Sequence, residues 1–113
     1  MKIYHNPRCS KSRQTLQLLE EQQLHPEVVE YLKTPPTNEE LSDILNMLGL
    51  EPRQLMRTKE DEYVQLGLAD ASLSREQLIE AMVAHPILIE RPIVIHNGKA
   101  AIGRPPESVL EIL

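Results

Sequence analysis

The 113-residue sequence predicts an α/β fold: a four-stranded mixed sheet with helices packed on it. Three observations predict it. The apolar pattern runs strand, helix, strand at the N-terminal end, and strand, strand, helix at the C-terminal end. Two Ser/Thr-x-x-Glu/Gln starts mark helices between those ends. An Asn97-Gly98 pair joins the last two strands, and it is the strongest short hairpin signal in a sequence because a type I′ turn needs positive φ at both central positions.

Each element has its own warrant. Residues 1–5 (Met1, Lys2, Ile3, Tyr4 and His5) alternate weakly and read as a short strand, broken by Asn6-Pro7. From Ser10 to about Gln23 there is no Pro or Gly, and Leu16, Leu19 and Gln23 fall at helical spacing, so a helix starts at or just after Cys9. Pro26 to Leu32, with Val28, Val29 and Tyr31, reads as the second strand. Pro35-Pro36 ends that unit. Thr37 with Glu40 is a capping box, followed by the stripe Leu41, Ile44, Leu45, Leu48 and a stop at Gly49. Residues 52–69 are polar with scattered Leu and predict one or two short helices. Ser74 with Gln77 starts another helix carrying Leu78, Ile79, Met82 and Val83 as far as His85-Pro86. Ile93 to His96 and Lys99 to Ile102 are the hairpin strands, and Pro105-Pro106 opens a final helix reaching Leu113.

The β-α-β half implies two parallel strands with a right-handed crossover, and the β-β-α half adds an antiparallel hairpin. This is the element order of the thioredoxin fold, with a helical insertion between its halves. No repeat, linker or low-complexity stretch interrupts the chain, so residues 1–113 are expected to form a single domain.

Composition excludes several classes. Aromatic residues are 3%, three Tyr with no Trp or Phe, so the core must be aliphatic. No apolar run approaches the roughly 20 residues of a membrane span, and Met1 to Ser10 has no signal-peptide core, so a cytoplasmic protein that touches no membrane is expected. A single cysteine forbids an internal disulfide and a multi-thiolate metal site, and the four histidines show no ligand spacing. Seventeen acidic residues against twelve basic ones give a net charge of −5, which argues against nucleic-acid binding.

The charge is uneven. Residues 1–19 hold four bases (Lys2, Arg8, Lys11, Arg13) and no acid, while the remaining chain holds eight bases and seventeen acids. Cys9 lies inside the basic stretch. At the start of a helix it faces the positive end of the helix dipole and free backbone N–H groups, and both favour thiolate over thiol. Arg8, Lys11, Arg13 and a protonated His5 are expected to push the same way. A thiolate is the reactive nucleophile. Position 12 is Ser, so Cys9 cannot resolve its own oxidised or adducted form, and an outside thiol such as glutathione or a glutaredoxin is implied.

At these residues the chain resembles the glutathione/glutaredoxin-dependent arsenate reductases of thioredoxin-like fold. The resemblance is carried by Ile3 to Cys9 with Ser12-Arg13, Tyr31 to Thr37, Leu55 to Arg57 with Tyr63 and Leu66 to Ala69, His85 to Val94, and Gly103 to Pro105 with Val109 to Leu113. It implies Cys9 as the nucleophile that forms a thiol–arsenate adduct, and His5 as the residue that helps keep the thiol ionised. It implies Arg57, Arg91 and Arg104 as the arginines that hold the oxyanion and its intermediates, with Ser12 counted among the substrate-contacting groups. It also implies a cis proline at Arg91-Pro92 facing the cysteine, glutathione as co-substrate, glutaredoxin as partner, no bound cofactor and no metal. The expected role is arsenic detoxification. Two other readings share the nucleophile or the fold: a glutathione-dependent thiol/disulfide reductase, and a thiol-stress transcription regulator that binds RNA polymerase. Sensors of the latter kind often use Cys-x-x-Cys, against which Ser12 stands.

Overall fold

A computed structural model describes all 113 residues. The elements run β1 (Lys2–His5), α1 (Ser10–Glu21), β2 (Glu27–Glu30), α2 (Asn38–Leu48), α3 (Pro52–Leu55), α4 (Asp61–Gln65), α5 (Arg75–Ala84), β3 (Ile93–His96) and β4 (Lys99–Ile102). Two 3₁₀ segments, Pro86–Leu88 and Pro106–Ile112, complete the chain. The sheet order is β2-β1-β3-β4, with β1 parallel to β2 and antiparallel to β3, and β3 antiparallel to β4. This is the mixed α/β sheet expected from the sequence.

The chain divides into two compact units, Met1–Thr34 with Arg91–Leu113, and Pro35–Glu90. The first contains the whole sheet. Its core is Ile3, Leu19, Val94 and Val109, all fully buried, with Leu16, Leu24, Ala101 and Ile112 packed against them. In the second unit α2 and α3 pack on α5, burying Leu41, Ile44, Leu45, Leu55, Leu78, Ile79 and Met82. Both capping boxes form: Thr37 accepts from the Glu40 N–H, and Ser74 accepts from the Gln77 N–H. Gly49 ends α2 in the left-handed conformation at φ 68°.

Three boundaries differ from the sequence pattern. Helix α1 stops at Glu21, and Gln23 lies beyond it, exposed, at φ 63°; the face of α1 turned inward is Ser12, Thr15 and Leu19. Strand β2 ends at Glu30, leaving Leu32 44% exposed. The last helix is 3₁₀ rather than α, with i→i+3 bonds such as Ser108 N–H to the Pro105 carbonyl at 3.0 Å. A period of three aligns Pro106, Val109 and Ile112 on one face, which is the apolar spacing of that segment.

The hairpin register positions the site. Asn97 and Gly98 adopt φ 51° and 74°, so the two-residue turn pairs His96 with Lys99 and Ile93 with Ile102. Continuing that register places Gly103 opposite Pro92, and the Gly103 N–H donates to the Pro92 carbonyl at 3.0 Å. A methyl at Gly98 would meet no atom within 4 Å. Gly98→Ala is therefore expected to cost stability through the backbone alone, about 1–2 kcal/mol for a left-handed L-residue. Denaturant titration reads this directly, and an unchanged midpoint would show that the turn does not hold the register.

Candidate active site

The loop between β1 and α1 is tied to itself before it reaches the helix. The Cys9 N–H donates to the Asn6 carbonyl at 3.0 Å, and the Arg8 N–H donates to Asn6 Oδ1 at 3.0 Å. Arg13 Nη1 donates to the Pro7 carbonyl at 2.9 Å, so this exposed arginine braces the loop from outside. Ser12 is fully buried. Its Oγ accepts from the Asn6 N–H at 3.0 Å and lies 2.5 Å from His5 Nδ1. The hydroxyl and the imidazole are hydrogen-bonded, with the Ser12 O–H as donor in the tautomer whose Nδ1 carries no proton.

Burial disfavours a charged His5. It is 6% exposed, and burial pulls its pKa below the ordinary value of 6.5; the Glu30 carboxylate opposes this, and Arg13 adds to it. Against the protonated His5 expected from the sequence, burial favours the neutral imidazole. Its observed contact is with Ser12, whose backbone faces the sulfur.

Cys9 is the N-cap of α1, in extended conformation at φ −95° and ψ 123°, and 8% exposed. Burial pushes the thiol pKa up. The Ser12 N–H, the Arg91 guanidinium, the Lys11 N–H and the Arg104 guanidinium push it down, and the balance lies below the ordinary value. The helix start has no side-chain cap of full hydrogen-bond geometry, so the two N–H groups act on the sulfur as dipoles. Arg104 Nη2 does reach it, donating to Cys9 Sγ at 3.6 Å. Arg104 Nε donates to the Arg91 carbonyl at 2.8 Å, which links the two arginine segments. The Arg91-Pro92 bond is cis, and so is Arg104-Pro105, which no feature of the sequence pattern had marked.

The first unit therefore brings Ser12, Arg91 and Arg104 to the Cys9 sulfur, with His5 bonded behind Ser12. Arg57 belongs to the second unit. There its N–H donates to the Leu88 carbonyl at 2.7 Å beside the Met56–Ile89 bridge, and its Nη1 pairs with Glu60 Oε1 at 2.9 Å. No group of three or more His, Cys, Asp or Glu side chains is placed to hold a metal ion, and no helix is long and apolar enough to cross a membrane. Sequence reading gave no role to Thr15 or to Gly103, which meet in the structure.

Two outcomes follow from the buried network. Ser12→Ala leaves the Asn6 N–H and His5 Nδ1 without that partner, and is expected to cost about 1–3 kcal/mol. Urea unfolding checks this, and a native midpoint would mean the hydroxyl holds nothing. For His5 the sign is fixed by its lowered pKa. The unfolded chain binds the His5 proton first, so stability is full above about pH 6.5 and falls as pH drops from there toward the folded-state pKa. Melting temperatures through this range should show that fall, and His5→Asn should remove it.

A thiolate with two guanidinium groups beside it can attack an electrophilic centre carried by an oxyanion, because the cations cancel the like-charge repulsion. Known proteins agree with this chemistry. The ArsC family profile matches residues 4–112. The chain is 63% identical to the uncharacterized protein YfgD of Escherichia coli (strain K12), over 100% of this chain and 96% of that one. It is 54% identical to an arsenate reductase of Neisseria meningitidis serogroup B, over 100% of this chain and 97% of that one. The solved arsenate reductase from Vibrio cholerae superposes with a TM-score of 0.97 at 57% identity, covering 99% of this chain and 96% of that one. With the fold, the Cys9 loop and nearly the whole length matched, this chain belongs to the ArsC family.

Proposed function

We propose that this protein reduces arsenate to arsenite through a thiol–arsenate adduct on Cys9, with glutathione and a glutaredoxin supplying the reducing thiols. One observation carries the reading most: Arg104 Nη2 stands 3.6 Å from Cys9 Sγ while Arg91 acts on the same sulfur. That pair serves the thiolate first. As arsenate approaches, the same guanidinium groups offer paired donors to its oxygens and stabilise the charge that builds up at the pentavalent centre.

The chemistry balances on two thiols. Cys9 sulfur forms a bond to As(V), and one arsenate oxygen leaves as water. Glutathione displaces a second water from the adduct. The glutaredoxin thiolate attacks the arsenic-bound glutathione sulfur and forms a glutaredoxin–glutathione disulfide; the electron pair of the broken As–S bond stays on arsenic, which becomes As(III) still held by Cys9. Water then displaces the Cys9 thiol, and As(III) leaves as arsenite. The net change is two thiols oxidised to one disulfide per arsenate reduced. Ser12 cannot substitute for the outside thiols, since it carries no sulfur and its hydroxyl is turned to His5.

Arg57 is proposed as the third arginine of the oxyanion set, and Ser12 contributes through its backbone N–H. No metal is needed for these steps. The cytoplasm, where glutathione keeps thiols reduced, is the compartment in which the cycle can turn over. The test is arsenite release from arsenate with glutathione and glutaredoxin present, each omitted in turn. Release that needs both supports the proposal. Turnover of small disulfides without arsenite release would replace it with a thiol/disulfide reductase.

A further inference from the structure

Gly103 is buried, and its φ lies outside the left-handed region that by itself favours glycine. Contact is what requires glycine here. A methyl at this position would stand 2.3 Å from Thr15 Oγ1, 2.8 Å from Pro92 Cγ and 3.0 Å from Thr15 Cγ2. The other three glycines, Gly49, Gly67 and Gly98, would meet nothing within 4 Å. Thr15 is fixed where it is. It is fully buried, and its hydroxyl donates to the Lys11 carbonyl at 2.8 Å, with the Gly103 carbonyl at 3.5 Å as a second, weaker acceptor.

The next residue is the one that matters. Arg104 follows Gly103 directly, and its guanidinium reaches Cys9 Sγ and the Arg91 carbonyl. Cys9 and Thr15 are both on α1, at the cap and in the second turn. The backbone of residue 103 therefore lies against the same helix whose N-cap residue holds the sulfur. On its other side it is bonded to Pro92, the neighbour of Arg91.

We infer that Gly103 is a positioning residue: its lack of a side chain lets the end of β4 seat against Thr15 and Pro92, and so places Arg104 on Cys9. It touches neither the sulfur nor the substrate. The inference rests on the reading of Arg104 as a ligand of the thiolate and the oxyanion. Relieving a 2.3 Å contact needs a shift of about 1 Å, and a misplacement of that size costs a site up to about a hundredfold in rate.

Two variants test it, each read by thiolate absorbance against pH and by KM for arsenate. Gly103→Ala should fold, raise the Cys9 pKa toward the ordinary cysteine value and raise KM about tenfold or more. The double variant Gly103→Ala with Thr15→Ala removes two of the three obstructing atoms, and should bring the pKa back toward native. A role in folding alone would lower stability without moving the thiolate titration of the folded protein. A folded Gly103→Ala with a native titration, or a double variant no closer to native than the single, overturns the inference. Should Gly103→Ala not fold, the double variant decides: a folded protein with a native-like thiolate supports the contact, and an unfolded protein or an ordinary thiol overturns it. The titration needs no arsenate, so the result stands even if the native chain releases no arsenite.

Discussion

Cys9→Ser is expected to abolish arsenite release, by on the order of 10³-fold or more, as removal of a covalent nucleophile does elsewhere. A serine hydroxyl at the same N-cap would see the same N–H groups and arginines, yet remain protonated at neutral pH. No other side chain can stand in, because the chain has one cysteine. The fold should survive, since Ser is a good N-cap residue and Cys9 forms no disulfide. The variant also has a signature in stability. A folded thiol pKa below the ordinary one adds stability that is complete above the unfolded-state value and is lost as pH falls through the folded one. Cys9→Ser should lack that component. Arsenite release by the folded serine variant would mean that the sulfur is not the nucleophile.

The second large effect belongs to the arginine pair. Arg104→Ala removes a side chain that donates to the sulfur, and Arg91→Ala removes the other cation acting on it. Each is expected to raise the Cys9 pKa and lower kcat/KM about a hundredfold, the usual loss for one donor aimed at developing charge. Lysine separates charge from geometry. Arg104→Lys keeps a cation and should hold the thiolate, but lacks the planar fork that can bond Cys9 Sγ and the Arg91 carbonyl together, so activity should recover less than the titration does. The measurements are initial rates of arsenite formation and thiolate absorbance. An unchanged Cys9 titration in both alanine variants would refute the electrostatic role given to this pair.

Local chemistry made most of the fold legible. The capping boxes at Thr37 and Ser74, the stop at Gly49 and the Asn97-Gly98 turn each act within a few residues, and each forms as its sequence implies. Period failed where the helix type changes: residues 106–112 follow a spacing of three, which a 3.6-residue reading absorbs into an α-helix.

The site was legible in its nucleophile and less so in its electrostatics. Cys9 stood out because it is single and sits at a helix start among bases. Those neighbouring bases are not the ones that matter most. Arg8 and Lys11 are exposed, Arg13 donates to the Pro7 carbonyl, and the cations acting on the sulfur come from Arg91 and from Arg104, 95 residues away. Pairing of β1 with β3 and the hairpin register bring them there, and no local window contains that information. His5 shows a related effect: its pKa is lowered chiefly by burial, which is not written in its sequence neighbours.

The direct measurement is the pH titration of Cys9 thiolate absorbance near 240 nm in the native protein, with Cys9→Ser as the blank. A midpoint clearly below the ordinary cysteine value of about 8.5 is the expected result, and it would establish a nucleophile already ionised beside two arginines. A midpoint at or above that value would contradict the account at its centre, because a protonated thiol at neutral pH could not attack arsenate in the way proposed.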